Sequence, residues 1–217
     1  MDDSLALRER IIQACLWLQE RSLVVGTWGN VSVRIGEYAM VTPSRIDYSA
    51  LAPDDLVIID LEGKVIRGHR IPTSEKDVHR MIYKTRPDIG AIVHCHSECA
   101  CAVSSTGRSI PPLIEEMSQL LGGRIPCTRR YVPAGHHLAL GDETAKAIGM
   151  GNALLLRNHG PVCCGKDLDE ALLVCLVVEK AAKMYLSLEP RLKPHPIRQD
   201  FVDQERDRYL YKYGKEQ

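Results

Sequence analysis

Two predicted β-hairpins constrain the fold of this chain more than any other feature of its sequence. Each hairpin pairs two short apolar segments around a glycine-containing turn, and the segments are residues 31–35 with 38–41 and residues 56–60 with 64–67. Strands joined by a tight turn run antiparallel, because parallel neighbours need a longer crossover. The hairpins therefore predict a sheet that is largely antiparallel.

Helical patterns between the strands predict a layered α/β domain. Helices are predicted over residues 5–20, 72–85 and 167–188, and two further strands over residues 89–96 and 152–157. Ser74 is the predicted N-cap of the second helix, and Asp167, with Glu170 three residues later, begins the third. Helices that alternate with short strands favour layers packed on a sheet, and 217 residues fit one domain.

The balance of charge argues against a nucleic-acid or membrane partner. The chain has 28 basic and 28 acidic residues and 5% aromatic residues, so it offers neither a basic stripe nor a stacking platform. Residues 1–4 are polar and acidic, unlike a signal peptide, and the longest apolar run, residues 171–178, is too short to cross a bilayer. We therefore expect no binding to nucleic acid and no membrane span.

The eight cysteines are expected to be reduced thiols. Five of them lie inside apolar segments, where free cysteine packs as a small hydrophobe: Cys15, Cys95, Cys99, Cys101 and Cys175. The chain has no CxxC pair, and adjacent Cys163 and Cys164 have poor geometry for a disulfide. Reduced thiols without a secretion signal predict a cytoplasmic protein.

Three histidines at the ends of apolar strands form the sharpest chemical signal. Side chains alternate along a strand, so His94 and His96 are expected to share one face, with Cys95 on the other. His159 also follows an apolar strand, and Gly160 is expected to let the backbone turn sharply there. Three imidazoles with an open position are typical of catalytic zinc, although Mn²⁺, Fe²⁺ and Co²⁺ also suit imidazole. The alternative is ordinary histidines at strand ends.

Small polar segments after chain breaks are candidates for binding an anion. A helix N-terminus offers free N–H groups and a partial positive charge, and Thr73 and Ser74 add two hydroxyls there. Gly29-Asn30 and Thr42-Pro43-Ser44 are similar segments. Together they are suited to a phosphate dianion, and the alternative is that they are plain caps and turns.

Two ionisable residues lie at the start of the same predicted helix. Glu75 follows the two hydroxyls, and the helix dipole by itself is a structural reason for an acid in the first turn. His79 lies one turn later on the same face, where we expect it to pack or to bond locally rather than to bind a metal.

Five motifs in order along the chain resemble the class II aldolase family, of the L-fuculose-phosphate aldolase and L-ribulose-5-phosphate 4-epimerase type. They are Gly26-Thr27-Trp28-Gly29-Asn30-Val31-Ser32, Thr42-Pro43-Ser44, Pro72-Thr73-Ser74-Glu75, His94-Cys95-His96 and Asn158-His159-Gly160. Each motif is weak alone, but their order and spacing are specific and cover almost the whole chain. The resemblance implies one three-layer α/β/α domain over residues 1–217, with a mixed, mostly antiparallel central sheet and a mobile tail at residues 201–217. It also implies a homotetramer with active sites between subunits.

The resemblance further implies a role for each matching residue. The metal ligands are His94, His96 and His159. Glu75 is implied to be a displaceable fourth ligand that transfers a proton once substrate binds. The phosphate-binding residues are Gly29, Asn30, Ser44, Thr73 and Ser74. Tyr213 matches a tyrosine in the C-terminal tail that closes over the site.

Two positions depart from the family pattern. Arg45 stands where the fuculose-phosphate enzymes have glycine, so it either crowds or contacts the phosphate. Glu116 stands where they have a tyrosine that the neighbouring subunit contributes. An acid there resembles enzymes that act on 5-deoxy or methylthio pentulose phosphates, and it makes Glu116 a candidate catalytic residue. The alternative for Glu116 is an exposed helix acid.

The implied function is that of a metal-dependent lyase acting on a small phosphorylated sugar. A retro-aldol reaction would cleave a ketose 1-phosphate into dihydroxyacetone phosphate and an aldehyde, with the metal as Lewis acid. Glu75 would move protons at the enediolate carbon, and Glu116 or Tyr213 would serve the aldehyde end. Decarboxylation of a 3-oxo sugar-acid phosphate uses the same enediolate, and dehydration and epimerisation also occur in the family. A non-catalytic binding module is disfavoured by the complete histidine set.

Overall fold

An antiparallel sheet forms the centre of the molecule. The structure, a computed structural model, describes residues 3–133, 135–188 and 195–212. Within these ranges the strands are β1 Asn30–Ile35, β2 Tyr38–Val41, β3 Val57–Asp60, β4 Val65–Arg67, β5 Ala91–His94, β6 Ala153–Leu156 and β7 Gly160–Gly165. They lie in the order β4-β3-β2-β1-β5-β7-β6, and each neighbouring pair is antiparallel. An isolated bridge between Cys127 and Leu155 runs parallel at the β6 edge.

Helices cover both faces of this sheet. They are α1 Leu5–Glu20, α2 Lys76–Thr85, α3 Glu98–Ser105, α4 His137–Ile148, α5 Leu168–Ser187 and α6 Gln199–Tyr211. One buried cluster joins α1, α3 and α5 to sheet residues such as Val31 and Val93. The other joins α2 and α4 to sheet residues such as Ile59 and Ile92. The implied three-layer α/β/α fold is therefore confirmed.

The ends of β1 and β5 meet beside the start of α2, and this junction positions the histidine site. Asn30 and His94 are paired in the ladder between the two strands. Alternation along β5 places Val93 and Cys95 in the cluster under α5, while Ile92 packs on the α2 side. His94 therefore points to the α2 face of the sheet, at the end of its strand.

Both hairpins were predicted correctly from the sequence, but the predicted start of α2 and the predicted end of β5 were wrong. Ser74 is not the N-cap of α2, because the N-cap position is Glu75 and the helix begins at Lys76. Thr73 is held to Thr42 by a backbone hydrogen bond of 2.9 Å, so the chain turns once more before the helix starts. The predicted strand over residues 89–96 ends at His94, because the N–H of His96 donates to Leu23 O at 3.0 Å and leaves the sheet.

Three helices and one strand were not predicted from the sequence. They are α3, α4, α6 and β7, and α6 lies in the segment that was predicted to be a mobile tail. The pattern of α4 is interrupted by Gly141, where a side-chain carbon would lie 2.6 Å from the backbone oxygen of Asp77 in α2. Glycine is thus required for close packing of the two helices, although it lowers helix propensity.

The C-terminal segment forms a helix on the body of the protein. Val202 of α6 is fully buried, and Arg206 donates to the backbone oxygens of Gln119 and Leu120 at 2.7 Å. The described helices include none with the length and apolarity to cross a membrane. All eight cysteines are free thiols, as the sequence predicted.

Candidate metal centre and its cavity

Three histidine rings converge at the end of β5. His94 ends that strand, His96 follows on the loop before α3, and His159 lies in the turn between β6 and β7. Their ligand nitrogens all lie within 4.8 Å of one another, and Nε2 of His94 and Nε2 of His96 are 3.1 Å apart. Tetrahedral zinc with bonds of about 2.0–2.1 Å separates ligand nitrogens by about 3.4 Å, so this cluster fits one such ion.

The orientation of His94 is fixed by the backbone. Its Nδ1 lies 2.8 Å from the carbonyl oxygen of Pro161, which can only accept a hydrogen bond. Nδ1 therefore carries the proton, and Nε2 keeps its lone pair for a metal. Burial, and then the nearby His94, lower the pKa of His96 and His159 to about 4. These imidazoles are neutral at neutral pH, as metal ligands must be.

Gly160 has a different role from the one predicted. The left-handed residue of the turn is Asn158, with φ of 57°, and Gly160 already begins β7. A side-chain carbon at Gly160 would lie 2.5 Å from the backbone oxygen of Cys95. Glycine is therefore required for close approach of the two chain segments that carry His96 and His159, not for the turn.

The carboxylate of Glu75 completes the cluster. Its oxygens lie 3.4 Å from Nε2 of His94 and 3.2 Å from Nε2 of His159. Burial alone would raise the pKa of Glu75, but the neighbouring histidines and a hydrogen bond from Asn30 outweigh it and lower the pKa to about 2. An ionised carboxylate this close to two of the candidate ligand nitrogens has the chemistry of a further metal donor.

A buried hydrogen-bond chain behind Glu75 fixes its position. Asn30 Nδ2 donates to Glu75 at 2.8 Å, and Asn30 Oδ1 lies 2.5 Å from Nε2 of His79. An amide oxygen only accepts, so His79 donates through Nε2, and its Nδ1 accepts from the hydroxyl of Ser32 at 2.7 Å. The Ser32 oxygen lies 2.8 Å from the hydroxyl of Tyr83, which donates to it. His79 thus bonds locally, as the sequence predicted, and is not part of the metal cluster.

The metal cluster lies in a cavity of about 1010 Å³. Its walls include the predicted ligands Glu75, His96 and His159 together with every residue predicted to bind phosphate, which are Gly29, Asn30, Ser44, Thr73 and Ser74. The loops that carry the last three are joined by backbone hydrogen bonds of 2.9 Å, from Ser44 N to Ile71 O and from Thr73 N to Thr42 O. One cavity therefore contains the predicted metal site and the predicted phosphate site.

The predicted phosphate-site groups other than Ser44, whose hydroxyl donates to Pro72 O at 3.0 Å, keep unused hydrogen-bonding capacity. Thr73 Oγ1 accepts from the N–H of Glu75 at 3.2 Å, so its own proton is available. Asn30 uses one of its two amide hydrogens, and the Ser74 side chain is exposed. Gly29 has φ of 146°, and a side-chain carbon there would lie 3.0 Å from His94 O. These groups are available to an anion at one end of the cavity.

One predicted catalytic residue, Glu116, is not brought to the cluster within one chain. Glu116 lies at the start of the short π-helix Met117–Leu121 and pairs with Lys180 at 2.5 Å, outside the cavity wall. That ion pair, through the hydrogen bond from Lys180, lowers the pKa of Glu116. Tyr213 lies outside the described residues.

Sequence reasoning gave no role to three basic or aromatic residues in the cavity wall. His69 and Arg70 lie on the strip of chain just before Pro72, and Trp28 lies at the rim with two-thirds of its surface exposed. His69 and Arg70 could have been found in the sequence, because they form a basic pair just before the predicted anion-binding segment that begins at Pro72. Trp28 belongs to a motif that was noted only for its neighbours Gly29 and Asn30.

Comparison with known proteins gives the family. Residues 9–186 match the family model described as Class II Aldolase and Adducin N-terminal domain. The L-fuculose phosphate aldolase of Methanocaldococcus jannaschii is 40% identical over 181 residues, which cover 82% of this chain and 95% of that protein. The L-fuculose phosphate aldolase of Escherichia coli K12 is 36% identical over 194 residues, or 89% of each chain. A solved L-fuculose 1-phosphate aldolase superimposes with a TM-score of 0.90 at 28% identity, over 96% of this chain and 98% of that one.

The chain therefore belongs to the class II aldolase and adducin N-terminal domain family. Within that family it is an enzyme, a lyase of the class II aldolase type. Class II aldolases are metal-dependent, and His94, His96 and His159 form the candidate site for the ion.

Proposed function

We propose that the protein cleaves a ketose 1-phosphate into dihydroxyacetone phosphate and an aldehyde. The bond between C3 and C4 breaks, the C4 hydroxyl gives up its proton, and C3 gains one. The observation that carries this proposal is the position of Glu75, whose carboxylate lies 3.2 Å and 3.4 Å from two of the three candidate ligand nitrogens. The names of the aldolase relatives support the same reaction.

Glu75 is the group best placed to move the proton at C3. Its carboxylate is buried, and Asn30 holds one oxygen from behind. A divalent ion held by His94, His96 and His159 would supply a Lewis acid that stabilises negative charge on the carbonyl fragment. We propose Zn²⁺ because three imidazoles with one open position suit it, and Mn²⁺, Co²⁺ or Fe²⁺ would fit the same donors.

The phosphate end of the cavity would hold the substrate away from the reacting bond. Thr73 and Ser74 present hydroxyls next to the start of α2, and Ser44 lies on the adjoining loop. A helix N-terminus favours an anion, and hydroxyl donors add directed hydrogen bonds. Binding energy from this remote group orients C3 and C4 at the metal end.

In a homotetramer with active sites between subunits, Glu116 could take part in the reaction of a neighbouring subunit. Glu116 is about half exposed, with side-chain accessibility of 45%, and lies away from the cavity of its own chain. It could act on the C4 hydroxyl only in the cavity of a neighbouring copy, where Tyr213 is the other candidate. We also propose a cytoplasmic location, because eight free thiols suit a reducing compartment.

The test is an assay of the metal-loaded protein with a panel of substrates. The panel contains fuculose 1-phosphate, 5-deoxyribulose 1-phosphate and a 3-oxo-tetronate 4-phosphate, and dihydroxyacetone phosphate is detected by a coupled reduction. We expect its release from a ketose 1-phosphate, loss of activity with chelator, and recovery with Zn²⁺. Release of CO₂ from the oxo acid without any aldehyde would replace the proposal with decarboxylation.

A further inference from the structure

Arg45 is a strained residue in the wall of the cavity. Its φ is 62°, in the left-handed region, where an L side chain crowds its own backbone. Such conformations favour glycine, and non-glycine residues in them cluster at ligand-binding sites. A long charged side chain at this position is therefore retained at a cost in stability.

The charge of Arg45 has no partner among residues 3–133, 135–188 and 195–212. Arg70, in the same wall, differs in this respect: its Nε donates to the carboxylate of buried Asp55 at 2.6 Å. Oδ1 of Asp55 also lies 3.7 Å from Nε2 of His69. Asp55 is therefore the negative charge next to both His69 and Arg70. The positive charge of Arg70 is compensated, whereas Arg45, in the same wall, has an exposed side chain with no ion pair to a described residue.

The chain position of Arg45 places this residue beside the predicted phosphate-site groups in one cavity wall. It follows Ser44, whose backbone N–H and hydroxyl bond to Ile71 O at 2.9 Å and Pro72 O at 3.0 Å. The loop of Arg45 is thus fixed against the segment that leads into Thr73 and Ser74. A guanidinium pairs with a phosphate dianion through two parallel hydrogen bonds, which a hydroxyl cannot do.

We propose that Arg45 is a specificity-determining cation that selects substrates carrying a dianionic phosphate at the end away from the metal. This inference rests on the proposed function for the identity of the substrate, but not for the binding of the anion. With Arg45, the affinity of the site depends on the negative charge of the ligand. With hydroxyls and N–H groups alone, it would depend on hydrogen-bond geometry. It is a binding residue and takes no part in proton transfer.

The first experiment measures binding of inorganic phosphate to the zinc-loaded protein by calorimetry. We expect R45A to weaken binding by about tenfold or more, because a charge-assisted hydrogen-bond pair is lost. R45K should lie between the two, since lysine keeps the charge without the fork geometry. Rising ionic strength should weaken binding by the parent more steeply than binding by R45A. R124A, which removes an exposed arginine outside this cavity, should bind phosphate like the parent.

A second variant separates binding from strain. R45G removes the charge and relieves the left-handed conformation, so it should raise Tm while losing as much phosphate affinity as R45A. S22G relieves the same conformation at Ser22, whose φ is 55° and which lies outside the cavity wall. It should raise Tm and leave phosphate binding unchanged.

Catalysis gives an independent measurement. The ratio of kcat/KM for a ketose 1-phosphate to that for the unphosphorylated ketose should fall about tenfold in R45A, mainly through KM. Unchanged phosphate affinity in R45A and R45G would overturn the inference. It would be overturned equally if the two variants changed the oligomeric state but not the phosphate affinity. If no variant cleaves any ketose phosphate, the proposed function fails while the calorimetric result still decides the role of Arg45.

Discussion

The predicted metal end and the predicted phosphate end of the cavity are constructed differently. At the metal end, His94 and Glu75 are buried, and each is oriented by a named partner, Pro161 O and Asn30. At the phosphate end, Ser74 and Arg45 are exposed and lie on loops. The first end is therefore preorganised, and the second retains free donors for a ligand.

This difference determines how substitutions should combine. The chain Tyr83, Ser32, His79, Asn30 and Glu75 is one connected network, so changes within it should be non-additive. The exposed residues at the predicted phosphate end, Ser74 and Arg45, lie outside this network, so the effects of changing them should add.

The largest effect is expected from removing a metal ligand. H94A should lose bound metal and lower activity by at least about 10³-fold, because the Lewis acid contributes several kcal/mol. Metal content by mass spectrometry and kcat/KM measure the two losses. H136A, which changes an exposed histidine outside the cluster, should retain both. An H94A variant that stays active in chelator would contradict the metal site.

The next effect concerns proton transfer. E75Q keeps the size of the side chain but removes the negative charge, so kcat should fall by about 10²–10³-fold. Three histidines remain, so metal content should stay near one per chain. Loss of the metal in E75Q would instead make Glu75 chiefly a structural ligand.

His79 tests whether the buried network positions Glu75. H79A leaves Asn30 Oδ1 and the Ser32 hydroxyl without their partner, and this should lower the free energy of unfolding by about 2–4 kcal/mol. We also expect kcat to fall about tenfold, in line with the loss of an orienting partner behind the ligands. Y83F removes only the last hydroxyl of the chain and should cost about 1 kcal/mol, with kcat nearly unchanged. Equal losses of kcat in both variants would indicate a general loss of folding.

The smallest effect is expected at the phosphate end. S44A removes the hydroxyl that donates to Pro72 O at 3.0 Å and so loosens the loop at the predicted phosphate site; KM for a ketose phosphate should rise about three- to tenfold with kcat retained. S187A, on an exposed helix end, is the matched control and should change neither. A large fall in kcat for S44A would show that the two ends are coupled.

The sequence predicted the convergence of the three histidines because strand periodicity and residue chemistry point to the same residues. His94 follows an apolar strand whose alternation fixes its face, and His159 follows another. The predicted strand was too long, because His96 lies outside the sheet. It also gave the wrong reason for Gly160, because the close approach to Cys95 O depends on a contact between distant segments.

The parts that could not be predicted depend on packing between elements. Gly141 resembles a helix breaker in sequence and is a contact point between α2 and α4 in the structure. The pairing of Arg70 with Asp55 joins residues 15 positions apart, and it distinguishes Arg70 from Arg45, which has no ion pair to a described residue. The roles of Glu116 and Tyr213 remain predictions, since the first needs a neighbouring copy and the second lies outside the described residues.

The most direct test of this account is X-ray absorption spectroscopy of the metal-loaded protein. The account predicts a metal bound by three imidazole nitrogens at about 2.0–2.1 Å with at least one further oxygen donor. Substitution of Glu75 by Gln should change the oxygen shell and leave the nitrogen shell intact. A sulfur shell, or a nitrogen shell that persists in H94A, would contradict the assignment of His94, His96 and His159 as the metal centre.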